Sequence, residues 1–358
     1  MAGKAMGHRV TLYPDLPTPA LRLDLDHDAL QSNWRALDRM SGRARAGAAV
    51  KADAYGLGVR TVVPLLQAAG CDDFFVAHWS EVRAVLDVAR PASLSVLHGP
   101  LTDEDAAYAR TTGAKPVINS LEQARRWLDS GGGHCDLMVD TGMNRLGVTL
   151  GELGEPVLAQ LEVDVLLSHL VAAEEDTPLN AMQQERWHQA RARVRHQRAS
   201  LANSGGIALG EAYHGDLTRP GIALYGGVPR PEMASVLRQV VRPQTAILQV
   251  RHVEAGETIG YNATFTAPDA MRVGTIALGY ADGYLRCWSD QGRFRAAGTT
   301  LPVLGRVSMD LTVVDLTHAP DVAEGDWITA DYALPEAAAT TGLSQYELLT
   351  LLGRRFGR

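Results

Sequence analysis

Between residues 44 and 226, short β-rich runs alternate with helical patterns, and this alternation constrains the fold more than any other feature of the chain. The runs predict strands at Ala48–Lys51, Phe74–His78, Leu94–His98, Pro116–Asn119, Leu137–Asp140, Val165–His169, Leu201–Ser204 and Ile222–Tyr225. Helical patterns lie between most of them, at Val62–Ala69, Glu81–Ala89, Leu121–Leu128 and Leu179–Arg198. Strands that alternate with helices build parallel sheets, so we predict an α/β fold with a closed, TIM-like (β/α)8 barrel.

The pattern changes after about residue 236. Apolar and polar residues then alternate with period two, as in Leu248-Gln249-Val250-Arg251, and glycines mark turns. We therefore predict a barrel over residues 12–236 and a C-terminal, mostly antiparallel β domain over residues 237–358, with the first residues of the chain packing on the second domain. The alternative is one larger α/β domain with an irregular tail.

Composition and charge favour a small-molecule partner. The net charge is −7 and 46% of the residues are hydrophobic, which gives little support to nucleic-acid or membrane binding. The densest basic group falls in one helical pattern and indicates a solvated face; it comprises Arg191, Arg193, Arg195 and Arg198.

Cysteine usage and the first residues favour a cytoplasmic protein. The three cysteines are widely separated, without the paired spacing of a metal site or a disulfide framework, so we predict no metal. Residues 1–10 lack the apolar core of a signal peptide, and no run has the length of a membrane span.

Lys51 is the strand-end residue with the clearest chemical potential. An apolar run delivers its amine to the end of a strand, and a turn with Gly56 follows. A lysine attacks a carbonyl only when its amine is unprotonated, and burial at an apolar pocket favours that state. The alternative is a solvated lysine at an ordinary strand end. Tyr55, four residues on, is placed to approach an anion held by backbone N–H groups.

Other polar residues also fall at the carboxyl ends of predicted strands, where barrel enzymes carry their active sites. Asp140 leads into a glycine-containing turn with Arg145, and His169, Ser204 and Arg219 follow at later strand ends. Each has a structural alternative: a satisfied histidine, a helix cap, or an arginine paired with a nearby carboxylate. Their joint occurrence at successive strand ends favours a shared site.

Four ordered motifs resemble those of alanine racemases, the fold-type III enzymes that depend on pyridoxal 5′-phosphate (PLP). They cover residues 50–56 (VKADAYG), 140–147 (DTGMNRLG), 219–226 (RPGIALYG) and 305–310 (GRVSMD). The resemblance runs in order from about residue 17 to 350, and it implies a homodimeric enzyme that interconverts L- and D-alanine, either to supply D-alanine for peptidoglycan or for alanine catabolism.

The resemblance implies a two-base mechanism. Lys51 is then the residue that binds PLP covalently and acts as one acid/base group, while the partner subunit's Tyr261 acts on the opposite face of the substrate. Arg219 is implied to contact the pyridine nitrogen, and because arginine keeps its proton, that nitrogen stays neutral. Arg145 is implied to bond the phenolic oxygen and contact substrate, with His169 beside the ring.

Further residues are implied to bind phosphate and substrate. The phosphate is held by Tyr55, Ser204, Gly221, Ile222 and Tyr346. The partner subunit's Met309 offers its backbone N–H to the substrate carboxylate. A narrow entry channel is lined by Glu174, Tyr280, Tyr284, Arg286 and Arg306.

The chain departs from the family pattern at a few positions. Met138 stands where many members carry a carbamylated lysine that orients the arginine at position 145, so another anion or a carboxylate takes over that charge. Leu57, Asn262 and Ser308 replace the commoner His, Gly and Cys. These departures leave open a racemase that prefers serine or another small amino acid. A decarboxylase of the same fold type is disfavoured by Arg219, and a non-catalytic PLP-binding protein by the second domain with Tyr261.

Overall fold

The computed structural model describes residues 17–353 and 355–357. The predicted boundary at residue 12 lies outside the described residues. Parallel strands alternate with helices in the first part of the chain, and an antiparallel sheet follows, so the predicted fold class is confirmed. No helix in the described part is both long and apolar enough to cross a membrane.

The parallel strands close into a barrel. In chain order, after an initial strand β1 (Leu21–Leu25), they are β2 (Arg45–Ala46), β3 (Ala48–Ala49), β4 (Phe74–Val76), β5 (Leu94–Val96), β6 (Lys115–Ile118), β7 (His134–Met138), β8 (Glu162–Leu167), β9 (Arg198–Ser200) and β10 (Leu217–Thr218). Strands β3 to β9 pair in sequence order, and β10 pairs in parallel with β2. The Arg219 N–H donates to Ala202 O at 2.9 Å, which joins the segment after β10 to the far edge of the sheet.

Most of the helices belong to the barrel and cover its outside, and the last two lie in the C-terminal region. They are α1 (His27–Met40), α2 (Val59–Ala69), α3 (Trp79–Leu86), α4 (Asp103–Thr112), α5 (Leu121–Asp129), α6 (Pro178–Arg193), α7 (Ser204–Ala208), α8 (Leu334–Thr341) and α9 (Gln345–Thr350). Ser120 caps the start of α5, because its Oγ accepts from the Gln123 N–H at 3.1 Å. The Gln123 side chain accepts from the Asn119 N–H at 2.8 Å instead of completing a capping box with Ser120.

Three predicted elements differ from the structure. The strand predicted at Leu201–Ser204 lies earlier, at Arg198–Ser200, and Ser204 begins α7. Ile222–Tyr225 forms a 3-10 helix instead of the last barrel strand, and Gly226 ends it with φ of 90°. The predicted helix over residues 179–198 stops at Arg193, because Val194 takes an extended conformation. Arg198 therefore starts β9, where its guanidinium bonds Asp73 instead of joining a solvated helix face.

The C-terminal region forms a closed antiparallel sheet in place of the irregular tail considered as an alternative. Its strands are β11 (Val241–Val253), β12 (Thr258–Ile259), β13 (Phe265–Thr266), β14 (Met271–Ile276), β15 (Arg293–Ala296), β16 (Thr299–Leu304), β17 (Thr312–Asp315) and β18 (Trp327–Ala330). The main sheet runs β1-β11-β14-β17-β16-β15-β18, and β18 returns to pair with β11. The first strand of the chain thus belongs to the sheet of the last part.

Candidate active site

A cavity of about 800 Å³ opens at the carboxyl ends of the barrel strands. This is where parallel barrels place the side chains that follow their strands. The structure brings many of the predicted site residues together in its lining, namely Lys51, Tyr55, Arg145, His169, Glu174, Ser204, Arg219, Gly221, Ile222 and Tyr346.

Lys51 enters the cavity from a strained turn. Ala52, Asp53, Ala54 and Tyr55 all have φ between 53° and 56°, so four consecutive non-glycine residues adopt the left-handed conformation. Each such residue costs about 1–2 kcal/mol relative to the right-handed form. The turn is held by backbone bonds, including Gly58 N–H to Asp53 O at 2.8 Å. Strain of this kind collects at functional sites.

The environment of Lys51 favours the neutral amine. Burial, together with the nearby positive charge of Arg145, lowers the pKa of Lys51, and Glu81 opposes the shift. A lysine whose pKa is lowered by burial has more of its amine available as a base or nucleophile near neutral pH.

Arg219 and His169 form the inner wall of the cavity. The Arg219 guanidinium is 7% exposed and donates through Nη1 to Ser200 O at 2.8 Å and through Nη2 to Ser168 O. Among the described residues, none accepts a hydrogen bond from Arg219 Nε. Burial lowers the pKa of Arg219 to about 10, so it stays protonated at neutral pH. Burial and Arg219 lower the pKa of His169 to about 3, so His169 is neutral.

Ser204 and Gly221 form a site suited to an anion. Ser204 Oγ accepts from Gly221 N–H at 2.8 Å and from Ala223 N–H at 3.3 Å, which leaves its own proton to donate. A Cβ on Gly221 would lie 2.2 Å from Tyr55 Oη, so only glycine allows this close approach. A hydroxyl beside a tight backbone segment is the kind of donor set that phosphate and carboxylate groups bind.

The loop that carries Arg145 is built by Asp140. Asp140 Oδ1 accepts from the N–H groups of Gly142 and Met143 at 2.7 and 2.8 Å, and Asn144 has φ of 56°. Met138 is buried and lines the cavity before this loop, at the position where a charged group was expected from the family pattern. No carboxylate of the described residues lies within 4.0 Å of the Arg145 guanidinium.

Several predicted residues lie outside the cavity, on the C-terminal region. Tyr261 is 69% exposed and Met309 is 53% exposed, and neither lines the cavity of this chain. Tyr280 N–H donates to Ser308 O at 3.0 Å, and the Arg286 guanidinium lies over the Tyr280 ring. Arg306 is also exposed in this group of loops.

The structure explains two departures from the family pattern. Asn262 has φ of 62°, a conformation that asparagine tolerates better than most residues and that glycine adopts freely. Ser308 Oγ donates to Leu311 O at 2.6 Å and accepts from Leu311 N–H at 3.2 Å, so serine builds the turn next to Met309.

The structure contradicts the predicted location of Tyr284. Its side chain is 1% exposed and stacks on Trp288 with ring centroids 5.1 Å apart, so it lies in the core of the C-terminal region. The family resemblance implied a place in the channel, but the 3-10 turns on either side of Tyr284 direct its ring inward.

Sequence reasoning missed groups that support the cavity. Gln183 on α6 donates to Thr141 Oγ1 at 3.1 Å and to His169 O at 3.0 Å, which links two loops of the site. His98 lines the cavity and packs edge-on against His78, with ring centroids 4.2 Å apart. Glu81 contacts the Lys51 turn, and its only signal in sequence was an acidic residue three positions after a strand end. Within the described part, no cluster of His, Cys, Asp or Glu is suited to a metal ion.

Comparison with known proteins decides the family. The alanine racemase N-terminal domain model matches residues 25–229, and the alanine racemase C-terminal domain model matches residues 240–358. The chain belongs to the alanine racemase family. The predicted family resemblance is thereby confirmed.

Individual alanine racemases match over nearly their whole length. The alanine racemase of Methylobacterium nodulans is 41% identical over 356 residues, which cover 94% of this chain and 95% of that protein. The alanine racemase of Acidiphilium cryptum is 42% identical, with 94% and 97% covered. The crystal structure of alanine racemase from Bartonella henselae with covalently bound pyridoxal phosphate is 32% identical, with a TM-score of 0.86 over 96% of this chain and 99% of that chain.

Proposed function

We propose that this protein is a PLP-dependent alanine racemase that interconverts L- and D-alanine. The observation that supports this proposal is one cavity with a half-buried lysine, a hydroxyl beside a glycine backbone, and a buried arginine. The Nε of this arginine donates to no acceptor among the described residues. These groups fit PLP: Lys51 for its aldehyde carbon, Ser204 and Gly221 for its phosphate, and Arg219 for its ring nitrogen. When bound, PLP supplies the electron-withdrawing group that makes the substrate Cα–H bond acidic.

The residues around the cofactor site have distinct proposed roles. Tyr55, Ser204, Gly221, Ile222 and Tyr346 hold the phosphate. Arg145 binds the phenolic oxygen and orients the substrate, and neutral His169 lies beside the ring. Arg219 donates a hydrogen bond and keeps its proton, because its pKa of about 10 is well above neutral pH. This keeps the ring nitrogen unprotonated and favours prompt return of the proton to Cα.

Proton transfer requires a base on each face of the substrate. Lys51 Nζ serves one face, and its lowered pKa supports this role. Tyr261 is the second base, but its exposed side chain does not line the cavity of its own chain. We propose that the partner subunit's Tyr261 completes the site in a homodimer, with Met309 as a substrate contact and with Glu174, Tyr280, Arg286 and Arg306 around the entrance.

A racemisation assay on a panel of amino acids with PLP present tests reaction and substrate together. We expect the highest kcat/KM with alanine, in either direction. If kcat/KM is higher with serine than with alanine, serine is the preferred substrate. If the protein gains no visible absorbance when PLP is added, the proposal is wrong. The metabolic role is proposed to be supply of D-alanine for peptidoglycan or alanine catabolism.

Mixing two inactive variants tests the shared site. Tyr261→Phe is expected to bind PLP but to lose racemisation by about 10²–10⁴-fold, because one face lacks its acid/base group. After dissociation and reassociation of a 1:1 mixture with Lys51→Ala, mixed dimers contain one site with both Lys51 and Tyr261. About a quarter of the parental activity should return if subunits pair at random. A mixture that stays inactive would contradict the assignment of Tyr261 to the partner's site.

A further inference from the structure

Glu81 links the Lys51 turn to the neighbouring strand. It lies in the first turn of α3, and its Oε1 accepts from the Ala52 N–H, which belongs to the peptide bond that follows Lys51. Its Oε2 accepts from the N–H groups of Ala77 and His78, each at 2.8 Å. One carboxylate therefore joins the left-handed turn after β3 to the end of β4.

The strain of the turn makes this contact consequential. The four left-handed residues begin at Ala52, the residue whose N–H Glu81 accepts. A non-glycine segment in this conformation persists only where surrounding contacts determine it. Backbone bonds such as Gly56 N–H to Ala52 O, at 2.8 Å, hold the turn from within, whereas Glu81 holds the Ala52 N–H from a different element.

The charge of Glu81 also acts on the amine. Burial and Arg145, from the loop after β7, lower the pKa of Lys51, and the negative charge of Glu81 raises it. Other titratable groups near this corner are His78, which packs on His98, together with His98 after β5 and His169 after β8. Burial is the first cause that lowers the pKa of His98 and of His169. Glu81 thus moderates how readily Lys51 loses its proton.

We propose that Glu81 is a positioning residue for Lys51, holding the strained turn so that the amine is directed into the cavity. The proposal rests on the proposed function, because the position of Lys51 matters only if Lys51 reacts. It requires two features of the side chain: a reach that serves Ala52 and the end of β4 together, and a negative charge.

Two substitutions separate reach from charge. Glu81→Gln keeps the size of the side chain but removes its charge and turns an amide NH2 toward a backbone N–H donor. Glu81→Asp keeps the charge but is one methylene shorter, so its carboxylate no longer reaches both segments. Asp105→Asn is the matched control, because Asp105 accepts from the N–H groups of Leu101 and Thr102 at the start of α4 and does not line the cavity.

The first measurement is steady-state racemisation by the holoenzyme. We expect kcat to fall about 10- to 100-fold in both Glu81 variants, since small misplacement of a reacting group has effects of this size. KM should change much less than kcat, because Glu81 touches neither substrate nor cofactor. Asp105→Asn should retain the parental kcat although it also neutralises a carboxylate that accepts backbone N–H groups at the start of a helix.

The second measurement is the rate at which cofactor-stripped protein regains covalent PLP, followed by visible absorbance across a pH series. The midpoint of this profile should move to lower pH in Glu81→Gln, because loss of the negative charge favours the neutral amine. In Glu81→Asp the midpoint should stay near the parental pH while the rate falls. A merely structural role would move neither the midpoint nor the ratio of kcat to KM effects.

The outcomes are distinguishable. If both Glu81 variants match Asp105→Asn in kcat and in the pH midpoint, the positioning role is wrong. If the unsubstituted protein neither binds PLP covalently nor racemises alanine, the proposed function is wrong, and the role proposed for Glu81 is then wrong as well. A Glu81→Gln protein that unfolds leaves Glu81→Asp to decide, through a lowered kcat at an unchanged midpoint.

Discussion

The two ends of the barrel differ in whether their cationic side chains are paired with carboxylates of the chain. At the amino ends of the strands, Lys115 Nζ lies 2.5 Å from Asp164 Oδ2 and 3.8 Å from the fully buried Asp136. Arg198 bonds both Asp73 and Asp164 at 2.9 and 3.0 Å. Ionic groups here are compensated within the chain.

At the carboxyl ends, Lys51, Arg145 and Arg219 face one cavity, and across residues 17–353 and 355–357 no carboxylate lies within 4.0 Å of their nitrogens. Of these three, Arg219 is buried, Lys51 is half-buried and Arg145 is exposed. A positive charge that is buried without an internal partner, as at Arg219, is costly unless a ligand supplies the negative charge. At the amino ends of the strands, folding alone supplies the opposite charges. At the carboxyl ends, a bound ligand has to supply them. Substitutions at the two ends should therefore change different measurements.

The largest effect is expected from Lys51→Ala. Racemisation should fall by at least about 10⁴-fold, because the covalent attachment of PLP and one acid/base group are lost together. The free energy of unfolding without cofactor should stay within about 1 kcal/mol of the parental value, since Lys51 forms no ion pair with the described residues. A racemisation assay with alanine measures the loss of activity, and urea unfolding of the cofactor-free protein measures the change in stability.

Lys115→Met should give the opposite pattern at the amino end. Removing this cation leaves Asp136 buried with its charge uncompensated, which should lower the free energy of unfolding by about 3–5 kcal/mol. The folded fraction should keep its kcat. The double variant Lys115→Met/Asp136→Asn should recover much of the stability, and a double variant as unstable as the single one would show that Asp136 is not the cause.

The smallest effect is expected in the acid stability of Asp164→Asn. Burial alone would raise the pKa of Asp164, but hydrogen bonds from Arg198 and Lys115 hold it below its ordinary value. A carboxyl with a lowered folded-state pKa stabilises the protein above its unfolded-state pKa, and this contribution is lost as pH falls through the folded-state value. The parent should therefore lose on the order of 1 kcal/mol more than Asp164→Asn in unfolding titrations between neutral and acidic pH. If the stability of the two proteins falls equally with pH, the stabilising pairing of Asp164 with Arg198 and Lys115 is contradicted.

Sequence patterns predicted the barrel because apolar strand runs and helical periodicity are local properties. They failed at Ile222–Tyr225, an apolar run that periodicity alone cannot distinguish as strand or helix. The actual closing strand, Leu217–Thr218, has two residues, too few to show any alternation. Arg198 was assigned to a helix because the helical pattern was extended to it, and its partners Asp73 and Asp164 are distant in sequence.

The cavity residues were predictable in part for a similar reason. Lys51, His169 and Arg219 follow strands, and parallel strands bring their carboxyl ends together whatever the detail of packing. Glu81 and Gln183 were missed because their importance depends on which backbone groups the fold brings to them. Tyr284 was misplaced because a resemblance in sequence does not give the direction of a side chain after a 3-10 turn.

The pairing of β1 with β11 sets an order of events during synthesis. Leu21 is paired with Thr245, and Leu25 with Val241, so the first strand emerges long before its partner. At translation rates of about 5–20 residues per second, β1 waits roughly 10–40 seconds as an unpaired strand edge. Such an edge invites pairing with other chains. The barrel can form on the ribosome in that interval. The edge of β1 is protected from pairing with other chains only after β11 has been synthesised and has paired with it.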